Sequence, residues 1–569
     1  MCTRELMRVD TPYSKIEALV VDDMATQQTT LRGQLGMLGI GKIDAAGSAE
    51  DALRMVRAKH YGLILCDYNL NHKTDGQQLF EFLREGRLLA QDTLFFMITA
   101  ESNYNSVASA SEHMPDAYLL KPITAGDIED RLKSQLDKRH ALLDINKALS
   151  KNDLPAALLA CDALLAKKDR WFMHALQIKG QTLLDLGNAD EARQVYQGAL
   201  DLRAGLMWAQ IGLARAQKAA GKFEEAKRLA QAILSSPEGD KNLAAYDIAA
   251  QALEALGDHG AAMQMMKKSA QVVPSARRQR QLAESAYRNG DLATAKASLQ
   301  KAVKFSQGAI TAQAQDLLSL AQTQIDLGET KEALELIADS ATRATRGAQE
   351  PEFEAVALAL RAQAHALQGE SEKAAREAEQ ALAQAPMTGK ADFATVTLAR
   401  AALLTGQIET GLKLINQAVS ADHENSRIQQ LACKALNDTG HKDQIEGVVH
   451  AASKGLKTRL HEAKMLLRAG QLDEALQAIE AELAEYPENT TVLLECAQMN
   501  CMALRLKKKL DDSRLNQVRD YLARLEKLMP GNDRVAQMRR YLRETLAALQ
   551  GNSPFSISAT AAPAGRAGA

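Results

Sequence analysis

Leu63-Ile64-Leu65-Cys66-Asp67 is the stretch on which the reading of this chain turns. Four consecutive apolar residues fit a strand of a parallel sheet covered on both faces, where strands read as unbroken apolar runs. The run ends in a carboxylate. In open α/β sheets, ligands and chemistry gather beyond the carboxyl ends of the strands, so Asp67 falls at the lip of a crevice on a rigid element. An Asp here also starts a turn readily, so its neighbours must decide between the two readings.

Those neighbours repeat the pattern. Upstream, Ala18-Leu19-Val20-Val21 is apolar and runs straight into Asp22-Asp23. A helical pattern follows from Ala25 to Met37, then a weak strand at Lys42 to Ala46, then a helix capped by Ser48. Downstream of Asp67, Asp75-Gly76 precedes a helix on Gln77 to Arg84. Leu94 to Ile98 forms a fourth strand ending in Thr99-Ala100, followed by a short helix. Ala117 to Leu120 forms a fifth, ending in Lys121-Pro122. Five strands alternating with helices argue an α/β doubly wound parallel sheet.

Asp22, Asp23, Asp67, Thr99 and Lys121 therefore converge on one edge of that sheet. Three crowded carboxylates need a counter-charge. A hard, oxygen-seeking cation such as Mg²⁺ supplies it, and Lys121 adds a point charge. A carboxylate so placed, with an ammonium and a hydroxyl beside it, is equipped to accept a phosphoryl group.

On these residues, with Asn69, Glu101 and Tyr118, residues 15 to 137 resemble the flavodoxin-like receiver domain of bacterial response regulators. The resemblance implies that Asp67 is the phosphoacceptor. It implies that Asp22, Asp23, Asp67 and the backbone carbonyl of Asn69 hold Mg²⁺, and that Lys121 contacts the phosphoryl group. Thr99 and Tyr118 match the switch pair, Asn69 and Glu101 the positions that tune hydrolysis, and the bond to Pro122 is a candidate cis peptide. The chain departs from the family in the loop after Asp67, Tyr-Asn-Leu-Asn-His-Lys-Thr-Asp-Gly, which lacks the usual proline and is one residue longer. His72 in that loop reads as a solvated side chain.

From about residue 138 the strand signals stop. A turn residue recurs at Asn152, Gly187, Gly221, Gly257, Gly290, Gly328, Gly369, Gly406, Gly440 and Gly470. That spacing lies near the 34 residues of a tetratricopeptide repeat. Five residues after each landmark come Ala157, Ala192, Ala226, Ala262, Ala295, Ala333, Ala374, Gly411, Ile445 and Ala475. A small residue there lets the second helix of each hairpin press on the first. Residues 138 to 550 thus resemble an all-α tetratricopeptide-repeat solenoid, degenerate at Gly406 and Gly440, with a capping helix beyond Pro530. Residues 1 to 14 form an extension, and residues 551 to 569 are low-complexity and expected to be disordered. No glycine or proline follows Gly126 until beyond residue 149, so the last receiver helix is expected to run directly into the first repeat.

Composition agrees and excludes. Lys+Arg number 69 against 71 Asp+Glu, so no electrostatic reason exists to expect nucleic acid as a partner. Six scattered cysteines form neither a CxxC pair nor a Cys/His cluster. No apolar run approaches the length of a membrane helix and the first twelve residues hold no signal-peptide core, which argues a cytoplasmic protein without membrane insertion. Lys507 to Lys509 reads as a solvated helix face, and the repeats carry no triad or phosphate loop, so no independent enzyme activity is expected. The expected function is that of a two-component response regulator, phosphorylated by a sensor histidine kinase or phosphotransfer protein. Its output is a protein or peptide partner on the concave solenoid surface, and a homodimer is compatible. The alternatives are a phosphate sink that drains a sensor kinase, or a constitutive scaffold whose receiver does not cycle.

Overall fold

The computed structural model describes residues 13–70, 74–86, 88–90, 92–100, 114–151, 153–237, 239–307, 309–310, 312–342, 351–385, 392–422, 425–507, 511–528 and 533–549. By contacts the chain divides into two compact units. The first comprises residues 1–184, 188–387 and 397–411, and the second the remainder.

The first unit begins with a five-stranded parallel sheet. Its strands are β1 (Glu17–Val21), β2 (Lys42–Ala46), β3 (Leu63–Asp67), β4 (Leu94–Thr99) and β5 (Ala117–Leu120). They stand in the order β2-β1-β3-β4-β5. The central strand, β3, lies between β1 and β4, and β3 and β4 are buried along their whole length, as expected of apolar runs sandwiched between helices. The helices are α1 (Ala25–Met37), α2 (Ala49–Ala58), α3 (Gly76–Glu85) and α4 (Ala125–Ala141). Ser48 caps α2 by accepting from the Asp51 N–H, and Asp75 caps α3 through a reciprocal pair with Gln78. One sheet face packs Leu31, Leu35, Ile128 and Leu132 against Ala18, Leu65 and Phe96, and the other packs Ala52, Leu79, Phe80 and Leu83 against Ile64, Phe95 and Met97. The short helix expected after Ala100 lies outside the described residues.

The expected direct passage into the first repeat is interrupted at one residue. α4 ends at Ala141, Leu142 leaves helical geometry with ψ of 10°, and the next helix runs Leu143–Ser150. The break carries no loop. It turns Leu142 and Ile145 into a common core with Cys161, Leu164 and Ala175, burial that a straight helix would forgo.

Beyond it the described elements are helices throughout, paired as antiparallel hairpins. Every glycine landmark from Gly187 to Gly470 has φ between 74° and 82°, the left-handed turn that ends the first helix of each hairpin. The alanines five residues on are fully buried. At Gly411 a methyl group would meet Leu403 Cγ at 2.6 Å, so glycine replaces alanine because the helices approach still closer. The Gly440 repeat is the irregular one. Around Ile445 the chain forms a 3₁₀ turn (Lys442–Gln444) and a π turn (Glu446–His450).

Within the first unit, the first helices of successive hairpins share a wall of polar side chains. Arg280 Nε donates to Asp316 Oδ1 at 2.7 Å, Arg288 reaches Glu254 at 2.8 Å, and Gln322 bridges to Gln363 at 3.0 Å. Arg400 donates to Asp326 at 2.8 Å and to the Tyr287 hydroxyl at 3.2 Å. Tyr287 and Arg400 lie in hairpins three repeats apart.

The second unit holds its own core. Leu456 and Leu460, Ile479, Val492 and Cys496, Leu515 and Val518, and Val535 and Met538 come together from its last five helices. The elongated hairpin expected near the end is Thr490–Lys507 with Asp512–Leu528, followed by the helix Asp533–Leu549. Among the described residues no helix is long and apolar enough to cross a membrane.

Candidate functional site

The sheet register brings the polar strand ends to one edge. Val21 pairs with Cys66, Asp67 with Ile98, and Thr99 with Leu120, so Asp22, Asp67, Thr99 and Lys121 end neighbouring strands. The carboxylates of Asp22, Asp23 and Asp67 each offer an oxygen within 4.8 Å of the others. Lys121 Nζ donates to Asp67 Oδ2 at 2.8 Å and stands 3.8 Å from Asp22 Oδ2. The Lys121–Pro122 bond is cis.

Asp22 is fully buried. Its Oδ1 accepts the Met24 N–H at 2.8 Å, while its buried Oδ2 has no hydrogen-bond partner. Burial pushes the Asp22 carboxyl above its ordinary range; the Met24 N–H and Lys121 oppose this, and the Asp67 and Asp23 charges reinforce it. An orphaned buried oxygen among three acids suits a hard divalent cation, so the donor set fits Mg²⁺.

Asp67 is nearly buried at 7% exposure, Thr99 is buried, and Tyr118 is half-buried against the cluster that includes Cys66 and Phe80. Asn69 is exposed, two residues past Asp67. Glu101 and His72 lie outside the described residues. The structure thus gathers the three aspartates and Lys121 directly and places Thr99 on the same edge.

Sequence reasoning passed over two supports. Gln28 donates to the carbonyl of Asp22 at 2.7 Å and of Ala46 at 3.3 Å, tying down the end of β1. Gly76 donates its N–H to Tyr68 O at 2.8 Å, and a methyl group on it would stand 2.0 Å from the Asp67 carbonyl oxygen. Only glycine closes the loop this tightly on the acceptor. The Asp75-Gly76 pair ahead of the helix was the available signal, but a close approach of backbone to backbone leaves no mark in sequence.

Comparisons agree with both halves. The response regulator receiver domain family matches residues 18–133, and tetratricopeptide repeat families match residues 183–246, 355–380 and 457–481. The probable transcriptional regulator ycf27 of Porphyridium aerugineum is 30% identical over 25% of this chain and 54% of its own length. The probable chemotaxis protein CheY of Rhizobium etli is 28% identical over 19% of this chain and 84% of its own. A tetratricopeptide repeat protein from Parabacteroides merdae aligns at 17% identity with 47% of this chain and 98% of its own, with a TM-score of 0.28. The chain spans about half the length of the first of these curated relatives. It carries a response regulator receiver domain at its amino terminus, followed by tetratricopeptide repeats.

Proposed function

We propose that this protein is a phosphorylation-controlled adaptor. Residues 15–137 form the receiver, residues 138–550 the solenoid, and Asp67 the phosphoacceptor. The observation that carries the reading is the convergence of Asp22, Asp23 and Asp67 with Lys121 bonded to Asp67 at 2.8 Å. An Asp67 carboxylate oxygen attacks the phosphorus of a kinase or phosphotransfer phosphohistidine. The P–N bond breaks, the imidazole leaves with its electron pair, and an aspartyl phosphate forms. Lys121 turns from the carboxylate to the new phosphoryl oxygens, and Thr99 stands on the edge where it can donate to them. Asp22, Asp23, Asp67 and the Asn69 carbonyl would hold Mg²⁺, which neutralises charge on the transferring group. Glu101 would tune hydrolysis, and Tyr118 would partner Thr99 in signalling. The output is protein binding, since solenoid walls present extended surfaces to partner chains.

Incubation with acetyl phosphate followed by mass spectrometry tests this. Wild type gains one phosphoryl group on Asp67 with Mg²⁺ present and none with chelator, while Asp67→Asn stays unlabelled. Labelling that survives in Asp67→Asn, or under chelator, would remove the mechanism.

A further inference from the structure

The first unit contains one contact that no strand-end pattern foreshadows. Between the helices Leu292–Ser306 and Ala314–Asp326, the solenoid sends a turn toward the receiver. There the Ile310 N–H donates to Thr74 Oγ1 at 3.2 Å, across 236 residues of chain. Thr74 is fully buried. The Ile310 side chain packs on the receiver core cluster of Cys66, Leu70, Leu79 and Phe80, against which Tyr118 also packs. Local structure sets the turn's position. The Ser306 hydroxyl donates back to the Ala302 carbonyl at 2.8 Å at the helix end, the Ala309 N–H donates to Ser306 O at 2.9 Å, and Ala309 is buried beside Ile310.

Thr74 lies in the loop that leaves Asp67. Two residues on, Gly76 sits so close to the Asp67 carbonyl that a methyl group on it would stand 2.0 Å from that oxygen, and its N–H holds Tyr68 O. The receiver end of the Ile310 contact is thus tied by a short, tight path to the acceptor. Asn69, whose carbonyl is a proposed metal ligand, belongs to the same loop.

We propose that the solenoid turn at Ala309–Ile310 is the reader of the phosphorylation site, its docking on Thr74 being thermodynamically linked to the state of Asp67. The proposal rests on the phosphoacceptor reading above. Linkage is reciprocal: whatever factor the phosphoryl group exerts on docking, docking exerts on the phosphoryl group. The contact lies on the face of the sheet carrying α2 and α3, so the signal leaves through the loop beside the acceptor.

Two full-length variants test it, Ile310→Ser and the more disruptive Ile310→Asp, each checked for native melting by circular dichroism. The first readout is hydrogen exchange in peptides covering residues 63–85, without added ligand. The second is the half-saturation for beryllofluoride, a phosphoryl mimic, with Mg²⁺, followed by fluorine NMR. Both variants are expected to speed exchange and to change half-saturation by roughly threefold or more. Smaller changes in both variants, in a wild type that does take up beryllofluoride, overturn the linkage alone. A wild type that takes up none overturns the phosphoacceptor reading, and the linkage with it.

Discussion

Asp22 bears the strain of the site before any ligand arrives. It is buried beside two other acids, and its Oδ2 has no hydrogen-bond partner. Lys121 is 3.8 Å from that oxygen and spends its closer contact on Asp67. A cation bound by the folded state alone stabilises it by mass action, about 2.7 kcal/mol at a hundredfold excess over Kd. Saturating Mg²⁺ is therefore expected to raise the receiver's calorimetric midpoint, and Asp22→Asn to abolish most of that rise. An equal rise in Asp22→Asn would show that the ion binds elsewhere. The aspartates and Lys121 were legible as residues at strand ends, because polar groups that interrupt apolar runs stand out. Gln28 and Gly76 were not, since their roles depend on which backbone atoms lie opposite them.

At the scale of the element, the repeat is specified by two positions per hairpin. The glycine sets a left-handed exit, and the buried alanine sets how closely two helices approach. At Gly328, with φ of 80°, alanine is expected to cost about 1–2 kcal/mol in left-handed strain. At Ala333, leucine is expected to cost about 1–3 kcal/mol, because three extra carbons must enter a filled contact. Urea denaturation measures both as lowered midpoints; unchanged midpoints would mean that the hairpins do not rely on these contacts. This periodicity made the solenoid readable from the chain. It also marked its own exception, since Ile445 stands where a small residue belongs and the 3₁₀ and π turns occur there. The break at Leu142 had no such mark: it follows from the burial of Leu142 and Ile145, not from a helix-breaking residue.

On the scale of the whole molecule, long-range contacts decide what the sequence pattern left open. Arg400, Asp326 and Tyr287 join hairpins three repeats apart, with Arg400 and Asp326 almost wholly buried. A partner that displaced such a pair would leave charge buried without its mate, a penalty of about 3–5 kcal/mol. The Ile310–Thr74 contact likewise has no local signature, although it joins the repeats to the loop beside Asp67.

On the proposed reading, the state of Asp67 controls what the solenoid binds. Quantitative pull-downs with full-length wild type and Asp67→Ala, each with and without acetyl phosphate and Mg²⁺, test it most directly. At least one bound protein is expected to change in the phosphorylated wild type alone, by about 5–150-fold for an ordinary allosteric coupling. The same proteins in the same amounts in all four samples would contradict it.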